Sequence, residues 1–557
     1  MKYSLICNLY DKIASTPKRL EKIEYLCDFF KEINEKNKEV LYLLNGKVFP
    51  DYNTSELGVS EQILIKALSN SFSYPSEKIL EEFKKSGDLG DVAEKIHVKK
   101  RQLPLFSQEL TAEKVIENLR KIITTEGKGA IEKKISLISE LFSLSQKVEA
   151  KYLARTILSN LRIGISTQTI LEAFSKYFFN GENKELIEEK YYLSNDLAEI
   201  FIACLKGKEA LEKIDIRPGI PINVMLAIKV SSIEEGFEVC GRPAAIEQKY
   251  DGFRMLINKD SKGEIKLFTR KLEEVTKQFP DIVKIITSNV MGETFILDSE
   301  VVAFDPKTKK YHPFEVVSQR IKRKYEISKT SKEIPVEVNI FDCLYYNGFS
   351  LIKRPFLERR KILEKIINPL EFKIRPAVQI ITSDEKEAKK FFNETIKKGN
   401  EGIMIKNLNA EYKQGRRVGY MCKFKPEANE FDLVIVGAEY GTGKRSGLFT
   451  SYIVACRNED EFLVVGKVSS GLKEKEEEGL TYEKMTSLLK PLVINEEGKI
   501  VNIKPKIVVS VSYQNIQESP SYNSGFALRF PRIIRYRPDR SINDIATLEE
   551  IKKEAKI

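Results

Sequence analysis

The sequence predicts a multidomain chain: an all-α N-terminal domain, an α+β middle domain and a small β-barrel at the C-terminal end. Three observations predict it. Apolar residues recur at three- and four-residue spacing up to roughly residue 210, short β-rich runs alternate with helical stretches from about 223 to 425, and short strands follow Lys425-Pro426. A length of 557 residues gives room for about three or four domains of ~150 residues.

The helical periodicity is clear in Val148, Tyr152, Leu153, Ile157, Leu158 and Leu161. The run Asp215-Ile-Arg-Pro-Gly-Ile-Pro-Ile222, with two prolines and a glycine, marks the first boundary. The expected domains are therefore 1–215, 216–425 and 426–557. In the middle domain Phe295–Phe304, Val336–Phe341 and Gly402–Ile405 read as strands, and Arg354–Ile367 and Ser383–Lys398 as helices. In the last domain Asp432–Val436, Ser451–Ala455, Phe462–Lys467 and Lys506–Tyr513 read as strands of a barrel, interrupted by a charged helical insert, Lys473–Leu489.

Composition excludes several classes. Apolar residues make up 42% and charged residues 31%, a globular balance. No segment approaches the ~18–20 apolar residues of a membrane helix, and the N-terminus lacks a signal-peptide core, so a cytoplasmic protein without membrane contact is expected. Two histidines, His97 and His312, leave no room for two-His metalloprotease motifs. Seven scattered cysteines contain no C-x-x-C pair, which disfavours a four-cysteine zinc site and suits a reducing compartment. The net charge of +11 permits a polyanionic partner without demanding one.

The sharpest motif is Glu247-Gln-Lys249-Tyr-Asp251-Gly252-Phe-Arg254. Glu247 and Lys249 share a strand face at i, i+2, and Asp-Gly supplies a turn. A lysine aimed into a pocket becomes a nucleophile once its amine is neutral, a state favoured by desolvation and neighbouring cations. Taken alone, the motif reads equally as a surface lysine before an Asp-Gly hairpin. In Leu297-Asp298-Ser-Glu300 two carboxylates project to one face, where a metal or a ribose hydroxyl would bind. Glu401 is expected to share a face with Ile403 and Ile405, and a carboxylate beside a core face needs a partner such as Mg2+. Lys423 and Lys425, again at i, i+2, suit an anion between them. Phe341 lies before Asp342 in an otherwise buried strand, where its ring is either core or a stacking surface for a base. Five arginines and one acid lie between Arg529 and Arg540, with Arg535 and Arg537 expected on one strand face. Ala438–Arg445 nearly spells a phosphate-binding loop, but a β-rich run follows where a helix is required, so a basic hairpin is expected instead.

These motifs occur in the order found in the covalent nucleotidyltransferases. Lys249–Arg254 resembles their motif I, Leu297–Glu300 motif III, Phe341–Gly348 with Arg354-Pro355 and Glu358-Arg-Arg360 motif IIIa, Glu401–Lys406 motif IV, Lys423–Lys425 motif V and Arg529–Arg537 motif VI. Thr269-Arg270, continuing to Phe279-Pro-Asp281, resembles an element of ATP-dependent DNA ligases. Glu149–Arg155 and Leu161–Gly164 are similar to the DNA-binding domain of archaeal and eukaryotic replicative ligases, and Pro221–Ala227 to the entry of their catalytic domain. Met421 stands where the family commonly has Trp.

The resemblance implies an ATP-dependent DNA ligase (EC 6.5.1.1), with an all-α DNA-binding domain, an α+β nucleotidyltransferase (adenylation) domain and an OB-fold. It implies Lys249 as the nucleophile that becomes lysyl-AMP. Glu247, Arg254, Arg270, Glu300, Phe341, Arg417 and Lys423 would bind ATP, and Glu300 and Glu401 would bind Mg2+, with Mn2+ as the alternative. The implied substrate is nicked double-stranded DNA, handled by a monomer in replication, repair and recombination. Gln102-Leu-Pro-Leu-Phe106 resembles a sliding-clamp-binding peptide, with Leu105 and Phe106 as anchors; an ordinary loop packed on the helical domain reads equally well. Two other functions stand beside the main one: an RNA ligase or capping-type nucleotidyltransferase, and a non-catalytic DNA-binding protein recruited by a clamp.

Overall fold

The computed structural model describes residues 1–97, 109–312, 314–321, 323, 325–415, 418–426, 429–441, 445, 447–459, 461–474 and 480–555. Arg417 and the candidate clamp peptide with Gln102, Leu105 and Phe106 lie outside these residues. The chain divides into two compact units, Met1–Lys425 and Pro426–Ile557. Among the described residues no helix is long and apolar enough to cross a membrane.

The first unit begins with helices from Tyr3–Ala14 to Lys208–Glu212, which share one apolar core containing Tyr10, Leu43, Leu68, Leu119, Tyr152 and Phe201. Their starts follow capping chemistry. The Asp196 carboxylate accepts from the Ala198 and Glu199 amides, and Gln146 with Glu149 forms a capping box. The expected helix through Leu161 ends at Ile157, because Ser159 and Arg162 take left-handed φ values of 53° and 55°. That turn lets Arg162 join Arg155 in ion pairs with the buried Asp88, at 3.1 and 2.9 Å.

Two sheets follow. The first, ordered β1-β11-β10-β2-β9, contains β1 (Ile228–Lys229), β2 (Ala244–Lys249), β9 (Gln379–Thr382), β10 (Gly402–Asn407) and β11 (Met421–Phe424). The second, ordered β4-β3-β5-β6-β7 with β8 beside β6, contains β3 (Phe253–Lys259), β4 (Ile265–Thr269), β5 (Phe295–Ala303), β6 (Val336–Tyr346), β7 (Phe349–Ser350) and β8 (Ile374–Pro376). Each sheet buries one face under helices. Ala244, Ile246, Ile403 and Ile405 pack with Phe237 and Phe391, while Met255, Ile257, Leu297 and Ile340 pack with Ile282 and Leu363. The opposite faces meet through Leu256, Ile296, Leu344 and Met421, with Met404 against this cluster. The polar side chains discussed below lie beside that seam.

Asp251-Gly252 is not a hairpin turn: it carries the chain from β2 in one sheet to β3 in the other. A Cβ on Gly252 would lie 2.2 Å from the Val301 carbonyl oxygen, so only glycine lets β3 approach β5 there.

The second unit is β-rich. Its strands are β12 (Asn429–Tyr440), β13 (Phe449–Asn458), β14 (Glu461–Val468), β15 (Val493–Glu497), β16 (Ile500–Ile503), β17 (Val508–Tyr513), β18 (Ile516–Glu518), β19 (Phe526–Leu528) and β20 (Arg532–Tyr536). The long β12, broken by two register shifts, pairs β13 on one side and β16 and β17 on the other. β20 pairs β17, and the Ile533 amide donates to the Ser470 carbonyl just past β14 at 3.0 Å. The expected helix from Lys473 is limited to Tyr482–Leu489 among the described residues. Within Ala438–Arg445 the strand β12 ends at Tyr440, residues 442–444 lie outside the described ones, and the next strand, β13, starts at Phe449.

Gly402 carries the most strain-sensitive position. Its φ is 150°, and a Cβ there would lie 2.2 Å from the Phe424 carbonyl oxygen. Gly402→Ala is expected to destabilise the first unit by about 2 kcal/mol or more, lowering its melting temperature by several degrees in calorimetry.

Candidate functional site

Register sets the site. Lys249 ends β2 opposite Gly402, Glu247 lies opposite Met404, and Met404 lies opposite Lys423 of β11. In the other sheet Arg254 of β3 faces Glu300 of β5 across the ladder.

The strand alternation that would put Glu401 on the face of Ile403 and Ile405 fails. The φ of 150° at Gly402 breaks the pleat, and Glu401 turns to the opposite face, toward Lys249. Glu401 Oε2 lies 2.5 Å from Lys249 Nζ and 2.7 Å from Lys425 Nζ, and the Glu401 amide donates to the Lys249 carbonyl at 2.8 Å. Burial alone would raise the Glu401 pKa, but the ammoniums of Lys249 and Lys425 outweigh it and hold the carboxyl down at about 2. The Lys249 side chain is 22% exposed, so its amine sits in the cleft wall rather than in bulk water.

Glu300 is in the opposite state. Burial pushes its carboxyl up to about 7; Lys249 and Arg254 oppose the shift, and Glu401 and Asp298 add to it. No hydrogen bond or ion pair joins it to another described residue. Asp298 does not accompany Glu300 as a second open carboxylate, as the sequence pattern implied. Arg254 takes it bidentately, at 2.9 and 2.5 Å, and Tyr412 Oη donates to it at 2.7 Å. Arg254 also donates to the Met225 carbonyl at 2.7 Å, so its guanidinium braces the seam. Asp298 is fully buried, and the guanidinium fork is what makes its charge tolerable there.

Lys406, absent from the sequence-based site, is 4% exposed, and its Nζ lies 2.6 Å from Glu247 Oε2. The same ammonium stands 4.5 Å from the Phe341 ring centroid and 4.7 Å from that of Phe356. Arg254 Cζ lies 5.3 Å from the Phe341 centroid. Phe341 therefore lies on the site face of β6, half-buried, while Asp342 is engaged by Arg359 at 2.7 and 2.9 Å.

Other expected site residues stand apart. Arg270 is exposed in the turn after β4, without a salt bridge to another described residue. In the second unit Arg535, 62% exposed, lies 3.7 Å from Glu430, while Arg537 is fixed by Asp432 at 2.9 Å and Asp539 at 2.8 Å; Glu430 and Asp432 are two residues apart on β12. Among the described residues no three His, Cys, Asp or Glu side chains converge to hold a metal. A cation at Glu300 and Glu401 would therefore take its remaining ligands from water or substrate.

Three family models cover most of the chain: "DNA ligase N terminus" over residues 2–175, "ATP dependent DNA ligase domain" over 224–425 and "ATP dependent DNA ligase C terminal region" over 445–540. The chain belongs to the ATP-dependent DNA ligase family. It is 45% identical to a DNA ligase of Nanoarchaeum equitans, covering 99% of this chain and 98% of that one. Identity to a DNA ligase of Thermococcus fumicolans is 39%, over 99% and 98%. A solved structure named Pmar-Lig_PreS3 shares the fold, with a TM-score of 0.59 at 16% identity, over 95% of this chain and 99% of that one.

The raised Glu300 pKa has a stability consequence. The folded chain holds a proton that the unfolded chain releases near pH 4.5, so this contribution is full below about 4.5 and is lost as pH rises through about 7. In metal-free buffer, Glu300→Gln is expected to gain stability relative to the parent between pH 5 and pH 8, by at most about 3 kcal/mol. Thermal melts at the two pH values check this; a constant difference would contradict it.

Proposed function

We propose that this chain seals nicks in double-stranded DNA through a lysyl-AMP intermediate. The observation that carries the reading is the Lys249–Glu401–Lys425 cluster, in a chain whose whole length matches DNA ligases. In this reading the middle domain, 216–425, is the nucleotidyltransferase; residues 1–215 hold DNA, and 426–557 form an OB-fold.

Lys249 Nζ attacks the α-phosphorus of ATP. The new P–N bond replaces the bond to pyrophosphate, which departs, and the amine first gives up a proton to water. A carboxylate held near pKa 2 is a poor proton acceptor, so Glu401 serves to aim the amine rather than to deprotonate it. Lys249, Glu401 and Lys425 together carry a net +1, which favours an incoming triphosphate. Glu247 and Phe341 would receive the adenine, and Lys423 the phosphates.

Glu300 and Glu401 fit a divalent cation, Mg2+ or Mn2+. Two carboxylates completed by phosphate oxygens and water suit such an ion, and the Glu300 carboxylate has no ion pair within 4 Å among the described residues. When bound, the cation supplies charge neutralisation at the phosphates. AMP then passes from Lys249 to the 5′-phosphate of the nick, forming a P–O–P bond as the P–N bond breaks. Attack by the 3′-hydroxyl on that phosphate closes the strand and releases AMP. In-line placement and charge neutralisation supply most of the acceleration.

Incubation with ATP and Mg2+ followed by peptide mass spectrometry is expected to show one AMP mass on the peptide containing Lys249. Lys249→Ala is expected to remove the adduct and lower nick sealing by at least about a thousandfold. An adduct of equal yield in the variant would overturn the assignment.

A further inference from the structure

On the helix-covered face of the first sheet, behind the cleft, two cysteines meet. The helix Ile233–Cys240 packs on β10 and β11, and Gly236 lets it sit close: a Cβ there would lie 2.2 Å from Ile405 Cδ1. Its last residue, Cys240, is 1% exposed, and Cys422 of β11 is 0% exposed. Cys240 Sγ lies 3.4 Å from Cys422 Sγ and 3.3 Å from the Ile405 carbonyl oxygen. Among the described residues these are the only two cysteines in hydrogen-bond contact.

The contact is chemically polarised. The Cys240 S–H donates to Cys422, which lowers the Cys422 pKa and raises that of Cys240. Cys422 is therefore the sulfur that gives up its proton more readily, and the thiolate is the form that reacts with oxidants. The covering layer is shallow. Val239 and Val418 are exposed, and Gly419, whose carbonyl oxygen lies 3.6 Å from Cys240 Sγ, is half-buried.

We propose that Cys240 and Cys422 form a reversible modification site, joined as a disulfide by hydrogen peroxide. The Cys422 thiolate attacks the O–O bond. Its sulfur keeps one oxygen as a sulfenic acid, and the other leaves as hydroxide and takes up the thiol proton to become water. Cys240 then attacks the sulfenic sulfur: the S–S bond forms as the S–O bond breaks, and the departing hydroxide takes the Cys240 proton as a second water. Two thiols are oxidised and one peroxide is reduced, and a dithiol reverses the change. The sulfurs close from 3.4 Å to about 2.05 Å. Cys422 points to the helix side and Lys423 to the cleft, so the bond braces the cleft wall from behind without entering it. It closes a ring of chain that contains Glu247, Lys249, Arg254, Glu300, Phe341 and Glu401. Such a ring restricts the unfolded chain more than the folded one and so favours the fold.

The test uses the full chain, reduced, desalted, exposed to hydrogen peroxide while folded, quenched with catalase and alkylated with N-ethylmaleimide in denaturant. Intact mass is expected to show the loss of two of the seven thiols, and the non-reduced tryptic map to show peptide 230–249 joined to 418–423. Dithiothreitol is expected to restore all seven. The oxidised chain is expected to melt several degrees above the reduced one, and Cys240→Ala or Cys422→Ala to lose both the linked peptide and that rise. Retention of all seven thiols, oxidation that stops at sulfinic or sulfonic acid, or linkage of other cysteines overturns the inference. So does a linked peptide that forms only in denaturant. A linked chain that melts no higher overturns the bracing role. The peptide map of the parent decides the site even if neither alanine variant folds.

Discussion

The site depends on one carboxylate shared by two ammoniums. Glu401 lies within 2.7 Å of both Lys249 and Lys425, on a strand end where neither partner is fully solvated. Removing one member leaves the others mispaired in a low-dielectric wall, and such unpaired charges are far more harmful than the pair is favourable. The cluster is therefore better understood as a positioning device than as a source of stability. It holds a flexible four-carbon side chain at one address and leaves a surplus positive charge beside it.

The same logic organises the surrounding cleft. Asp298 is taken by Arg254 and Tyr412, Asp342 by Arg359, and Glu247 by Lys406. Each pair braces two strands or a strand and a helix. Against this background Glu300 stands out, since burial without an ion-pair partner leaves its carboxyl near pKa 7. A cation would relieve that condition directly, which is the physical basis for proposing one there.

Much of this was legible in the sequence because strand chemistry has a fixed period. The i, i+2 spacing placed Glu247 and Lys249 on one face, and the ordered motifs located β2, β5, β6, β10 and β11 within a few residues. Periodicity failed where backbone geometry departs from the ideal. Gly402 reverses the side on which Glu401 projects, and left-handed residues end the helix at Ile157. Pairings across sequence distance were also invisible. Nothing local indicates that Asp298 belongs to Arg254 rather than to a metal, or that Gln379 lies opposite Glu247. Those assignments come only from the register of strands more than forty residues apart.

Glu401 is proposed as the group that aims Lys249. Single-turnover formation of lysyl-AMP from labelled ATP, compared between the parent and Glu401→Gln at matched folded fraction, measures this most directly. The isosteric amide keeps the shape and removes the charge, so the rate is expected to fall by a hundredfold or more, on the order of 3 kcal/mol in the barrier. Labelling of Lys249 at the parental rate in Glu401→Gln would contradict it.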